Sequence, residues 1–138
     1  MLINRTEFKV RFSEVDSMKV VWHGHYVKYL EDGREAFGAQ YNIGYLDCFA
    51  HGILVPLVNI EIDYKRFLLI GEKAVVETRY VDSKAAKLKF EYTIFNSQTN
   101  EIVVKAKSVQ VFLDTNHELL FTQPDFFVQW KLKWGITD

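Results

Sequence analysis

Between residues 6 and 12 apolar and polar side chains alternate, with Phe8, Val10 and Phe12 on one side and Glu7, Lys9 and Arg11 on the other. A period of two is the signature of a strand with one buried face. It predicts a first strand over 6–12 with the three apolar residues turned inward, followed by a loop over 13–24. At His25 the period changes. Lys28, Glu31, Asp32 and Glu35 fall at helical spacing, while Tyr26, Leu30, Gly33, Phe37 and Tyr41 run along another face. This predicts an amphipathic helix over 25–41, about 25 Å long at ~1.5 Å per residue. Gly33 and Gly38 lie inside it and cost ~1 kcal/mol each relative to Ala, which a close approach of helix to sheet would offset. Gly44 is placed to end the helix.

Residues 45–56 read as a loop or a short helical turn, and four strand-like runs follow. Val58, Ile60, Ile62 and Tyr64 alternate with polar residues; 72–81 is rich in Val, Thr and Tyr; Leu88, Phe90, Tyr92 and Ile94 alternate again; 102–113 is a long strand. Short turns between successive runs predict antiparallel pairing. A sixth short strand is predicted near 119–122, and Pro124 opens a C-terminal helix running to 133. The order of one strand, one long helix and then a meander predicts an α+β fold with the helix laid on an antiparallel sheet. A sheet covered on one face by one helix leaves a face or edge to be covered by another subunit.

Composition narrows the classes. The 138 residues fit one domain, 1–138. Seventeen Lys and Arg against eighteen Asp and Glu give a formal charge of −1, which disfavours a nucleic-acid partner. The single Cys48 excludes an internal disulfide and a cysteine-rich zinc site. No apolar run approaches the ~20 residues of a membrane span, and the start has no apolar stretch of signal-peptide kind, so a cytoplasmic protein is expected. Aromatics reach 15%, enough to build a dense core or to line a pocket.

The candidate chemistry lies in VRFSEVDSMKVVWHGHYVKYLEDGRE, residues 10–35. Asp16 falls in the loop before the helix, and His23, Gly24 and His25 fall at its start. Amides at a helix N-terminus carry partial positive charge and can hold a carbonyl oxygen as it becomes an oxyanion. A carboxylate nearby can attack that carbonyl or activate a water. Gly24, with no Cβ, would let a substrate approach the backbone. Other readings of these residues stay open. Asp16 can cap a turn. His23 and His25, with Asp16 or His51, can hold a metal. Cys48 and His51 can form a nucleophile–base pair, although nothing in the sequence activates the thiol. Glu31 and Glu35 can belong to a solvated stripe or supply a helix-borne carboxylate.

The run E-V-D, then V-V-W-H-G-H-Y, then the acidic helix with E-D-G-R-E resembles the 4-hydroxybenzoyl-CoA thioesterase family of hotdog-fold enzymes, especially its Tol-Pal-associated short-chain branch. There the segment runs D-x-D, a Gly-containing pair, V-V-Y-H, a small residue and N-Y. The resemblance covers about residues 9–126 and departs from the pattern at two places, Met18 and Lys19 for the Gly-containing pair and His25 for the Asn. It implies a hotdog fold, a long central helix wrapped by a curved antiparallel sheet of five to six strands. It also implies hydrolysis of a short-chain or aromatic acyl-CoA, with coenzyme A as part of the substrate and no other cofactor or metal. It assigns Asp16 as nucleophile or general base and the His23 amide, beside Gly24, as the group polarising the carbonyl. The His23 imidazole would position water or the leaving group. Trp22 and Tyr26 would line the acyl pocket. Lys84 and Lys87, in the loop 82–87, are candidates for the CoA phosphates, with Lys65 and Arg66 as second candidates; a lysine acts there as a point charge. A homodimer or homotetramer is implied. The departures motivate the competing reading, a non-catalytic hotdog dimer that binds an acyl group or a protein partner.

Overall fold

The computed structural model describes residues 1–136. In chain order these form β1 (Ile3–Lys9), a 3₁₀ turn (Phe12–Glu14), α1 (His25–Tyr41), α2 (Tyr45–Ala50), β2 (Leu57–Tyr64), β3 (Lys73–Val81), β4 (Lys87–Asn96), β5 (Ile102–Val111) and α3 (Asp125–Lys133). The five strands make one sheet in the order β1-β3-β4-β5-β2, with every neighbouring pair antiparallel. The chain therefore leaves one sheet edge after β1, runs along α1 and re-enters at the opposite edge as β2.

The helix occupies the predicted span and packs on β1 and β3. Its predicted inner stripe is buried at Tyr26, Leu30, Gly33 and Phe37, with Tyr29 and Arg34 buried beside them. The alternation of β4 puts Leu88, Phe90, Tyr92 and Ile94 on the face that meets it. Phe37 meets Phe90 edge-on, with ring centroids 5.0 Å apart. Gly33 marks the closest approach: a Cβ there would lie 2.6 Å from Thr78 Oγ1 and 2.8 Å from Val76 Cγ2, both on β3. Gly33→Ala gains ~1 kcal/mol of helix propensity but overpacks this contact at a cost of ~1–3 kcal/mol. The variant is expected to have a lower urea midpoint at unchanged slope; a raised midpoint would mean that α1 has room to stand off the sheet.

Several boundaries differ from the sequence reading, each for a local reason. The first strand ends at Lys9, and Phe12 is 80% exposed instead of facing inward. The Glu14 carboxylate accepts the Arg11 amide and turns the chain into the 3₁₀ turn, which swings Phe12 outward. Gly38 does not face the sheet. A Cβ there would meet Gly44 Cα at 2.7 Å, so this glycine allows the α1–α2 turn to fold back on the helix. Gly44 caps the start of α2, donating its amide to Asp47 Oδ2, while Asn42 ends α1 in the left-handed conformation at φ 60°. Residues 119–122 form a bridge from Leu119 to Leu113 and no strand. The Asp114 carboxylate accepts the amides of Asn116 and Glu118, making a turn after which the chain pairs back only at the Leu113–Leu119 bridge, with the Leu120 amide on the Phe112 carbonyl. Pro124 itself is the cap of α3. The indoles of Trp130 and Trp134 both donate to the Tyr41 carbonyl, satisfying an orphan acceptor at the end of α1.

Candidate active site

Residues 14–22 close into a tight hairpin-like loop. Val15 bridges Val21, the Asp16 amide donates to the Val20 carbonyl at 2.9 Å, and the Trp22 amide donates to the Glu14 carbonyl at 3.1 Å. Asp16 sits half-buried on its shoulder. Its Oδ1 accepts the Met18 amide at 2.8 Å, and its carbonyl accepts the Lys19 amide. Asp16 thus does cap a turn, and its Oδ2 has no hydrogen-bond donor among the described residues. Lys19 takes the left-handed conformation, at φ 65°. That conformation favours glycine. The loop docks on the segment before β3 through Val20–Leu69 pairing and the Val21 amide on the Leu68 carbonyl.

The far limb of the loop runs into α1. The His25 amide is taken by the Trp22 carbonyl, whereas the amides of His23 and Gly24 have no acceptor among the described residues. Tyr64, at the end of β2, donates its hydroxyl to the His23 carbonyl at 3.1 Å and so fixes that peptide. The buried Tyr26 accepts the Leu68 amide at 3.0 Å and packs edge-on against Tyr64. The space at Gly24 is not open. A Cβ there would lie 2.0 Å from a Trp22 ring carbon, so the missing side chain makes room for the indole instead of for direct approach from solvent. Trp22 is 50% exposed, with its ring 4.8 Å from the His23 imidazole and 5.7 Å from that of His25. His23 itself is exposed.

The candidate cations fall into two groups. The amides of Lys65 and Arg66 both donate to the Val103 carbonyl, at the end of the sheet that also carries Tyr64 and the Asp16 loop. The Arg66 guanidinium pairs with Glu101 at 3.0 Å and donates to the Ile102 carbonyl. Lys84 and Lys87 are exposed at the opposite end, since Lys87 pairs with Val111 of β5 whereas Tyr64 pairs with Val104. Those positions on β5 are ~23 Å apart at ~3.3 Å per residue. Within one chain the two groups do not converge. Asp82 and Ser83, beside Lys84, are tethered to α3 by Lys131, 2.8 Å from Asp82 Oδ1.

The competing candidates are differently placed. Glu31 accepts the Tyr45 hydroxyl at 3.3 Å, and Glu35 lies exposed. Cys48 is fully buried, and burial pushes its thiol up to about 11, away from thiolate chemistry. His51 stacks on Phe126. Among the described residues no three of His, Cys, Asp and Glu converge as a metal site, and no helix is long and apolar enough to cross a membrane.

Arg34 and Glu14 are buried charges that the sequence pattern did not reveal. Arg34 is fully inside, with Nε donating to Gln110 and Nη2 to the Ile43 carbonyl, and its guanidinium over the Phe90 ring at 4.6 Å. Glu14 is 4% exposed. Burial pushes its carboxyl up, but the Arg11 amide, the Tyr29 hydroxyl and the Lys28 ammonium outweigh it and hold the group below the usual carboxylate range. Its position two residues before Asp16 was the available signal.

A family model described as the thioesterase-like superfamily matches residues 10–131. YneP of Bacillus subtilis (strain 168), which carries a provisional acyl-CoA thioesterase name, is 36% identical over 114 residues, 83% of this chain and 82% of that protein. The chloroplastic acyl-acyl carrier protein thioesterase ATL3 of Arabidopsis thaliana is 28% identical over 83% of this chain and 60% of its own length. Among solved structures, Slr0204, a 1,4-dihydroxy-2-naphthoyl-CoA thioesterase from Synechocystis, superposes with a TM-score of 0.84 over 96% of this chain and 98% of that one. At 15% identity that likeness is one of fold.

Proposed function

The chain belongs to the thioesterase-like superfamily, with its hotdog fold, and from that premise we propose that it hydrolyses an acyl-CoA thioester using Asp16 and the backbone amides of His23 and Gly24. The observation that carries this reading is the closure of the 14–22 loop: Val15–Val21 pairing draws a carboxylate, one of whose oxygens has no donor among the described residues, to the end of the fold where the His23 and Gly24 amides have no acceptor among them. The thioester carbonyl oxygen would accept from those amides, which stabilise the charge it gains as the carbon is attacked. Asp16 either attacks that carbon, giving an acyl–aspartyl anhydride and the CoA thiolate, or removes a proton from the water that attacks. Both routes end in the free acid and CoA. The His23 imidazole is assigned to positioning the water or the leaving sulfur. Lys19 supports catalysis over the binding-only reading, because it holds the left-handed conformation that glycine favours and so preserves a tight loop.

A short-chain or aromatic acyl group is proposed, as in the 4-hydroxybenzoyl-CoA and Tol-Pal-associated branches. Trp22 and Tyr64 flank the amides, and Tyr26 backs them. Lys65 and Arg66 are assigned to the CoA phosphates from the same chain. A homodimer, or a tetramer of two such dimers, completes the proposal. The outer edge of β2 has no strand partner among the described residues, with Leu57, Val58 and Tyr64 exposed along the strand. Antiparallel pairing of two β2 edges sets the Tyr64 end of one copy beside the Leu57 end of the other. Lys84 and Lys87 of the partner subunit then come to the same end as Asp16.

Purified protein assayed for thiol release from short, long and aromatic acyl-CoAs tests the reading. Sustained release on one class identifies the acyl group, and a dimer by light scattering supports the β2 edge. No release on any acyl-CoA from folded, dimeric protein sinks the catalytic reading.

A further inference from the structure

We infer that Glu14 is a positioning residue that locks the Asp16 loop onto α1 and thereby sets the relation between carboxylate and amides. This rests on the proposed role of Asp16. Three parts of the chain meet at the Glu14 side chain. Oε1 accepts the Arg11 amide at 2.9 Å and the Tyr29 hydroxyl at 3.0 Å, and Oε2 faces Lys28 Nζ at 3.4 Å and Arg11 Nε at 3.7 Å. Tyr29 is itself buried and stacks on Phe8 of β1 at 4.1 Å, so the anchor is part of the core. The Glu14 main chain does the second half of the work, since its carbonyl accepts the Trp22 amide that closes the loop. Asp16 follows two residues later, and His23 follows Trp22 directly. A turn cap would need a single acceptor oxygen near solvent. A carboxylate held inside, between a helix hydroxyl and a strand-end amide, ties the two limbs of the loop to one rigid element.

Thiol release by wild type, E14A, E14Q, Y29F and D16N, together with amide hydrogen exchange of the first four, tests this. E14A is expected to lower kcat by ~10–100-fold with KM within about threefold, the loss produced by misplacing reacting groups by ~1 Å. E14Q keeps acceptors for the Arg11 amide and the Tyr29 hydroxyl and is expected within ~10-fold of wild type, with Y29F between it and E14A. The amides of Asp16 and Trp22 should exchange at least ~10-fold faster in E14A while those of β3–β5 keep their protection. Wild-type kcat in E14A with D16N inactive overturns the inference, as does unchanged exchange at Asp16 and Trp22. Should E14A fail to fold, Y29F decides it, since it removes the bond from α1 to Glu14: wild-type kcat and wild-type loop exchange in Y29F overturns the inference. Full turnover by D16N would instead defeat the assignment of Asp16, and the exchange data would still decide whether Glu14 holds the loop.

Discussion

Asp16→Asn is expected to lower kcat for acyl-CoA hydrolysis by about 10²–10⁴-fold, the range lost when a positioned acid, base or nucleophile is removed. The substitution is nearly isosteric. Asn retains an oxygen for the Met18 amide, so the turn that Asp16 caps survives. What it loses is the negative charge, and with it both the attacking oxygen and the base. Stability should therefore stay within ~0.5 kcal/mol of wild type, because no core contact and no buried ion pair is broken. Asp16→Ala removes the Met18 bond as well and should add a small loss of stability to the same loss of rate. Thiol release and thermal melts of the two variants separate these effects. Turnover by Asp16→Asn at the wild-type rate would move the search to Glu31, whose carboxylate is engaged with Tyr45. Single turnover in heavy-oxygen water distinguishes the two routes: label appearing in the Asp16 carboxylate requires the anhydride.

The residues legible in advance were those whose role is set by local periodicity. Tyr26, Leu30 and Phe37 declared themselves by helical spacing, and the β4 alternation declared Phe90. Asp16 and His23 stood out as candidates because a carboxylate and a helix start lie a few residues apart in one segment. Phe12 was misread because the alternation continues through it, while a side-chain bond from Glu14 ends the strand first. Gly24 was legible as a close approach but not as to what approaches, since the Trp22 indole folds back from only two residues away. Arg34 carried no signal at all. Its partners Gln110 and Ile43 are an amide and a backbone carbonyl, and Gln110 lies 76 positions away on β5. The resemblance put Lys84 and Lys87 ahead of Lys65 and Arg66 for the CoA phosphates. The two pairs lie at opposite ends because β2 and β4 both run antiparallel to β5, so the chain leaves β2 at one end and enters β4 at the other.

Phe37→Ala is expected to cost the largest share of stability of any variant discussed, about 3–5 kcal/mol. The ring has no exposed surface and fills the space between Phe90 on β4 and Tyr41 one turn along α1. Phe90 cannot move in to close the gap, because its other neighbours are the Arg34 guanidinium and Tyr80. Against a total of ~5–15 kcal/mol for a domain of this kind, the loss should lower Tm by roughly 10–15 °C. The site should nevertheless survive in the folded fraction. Phe37 lies ~20 Å along the helix axis from Gly24 at ~1.5 Å per residue. The helix start has its own anchors in Tyr26 on the Leu68 amide, Tyr64 on the His23 carbonyl and Tyr29 on Glu14. Assayed well below its Tm, Phe37→Ala should keep kcat within about threefold of wild type, the opposite of what Asp16→Asn shows. A loss of kcat in step with the loss of stability would mean that the anchors at the N-terminal end of α1 depend on its whole length being packed, and that the loop and amides are not held as a separate rigid unit.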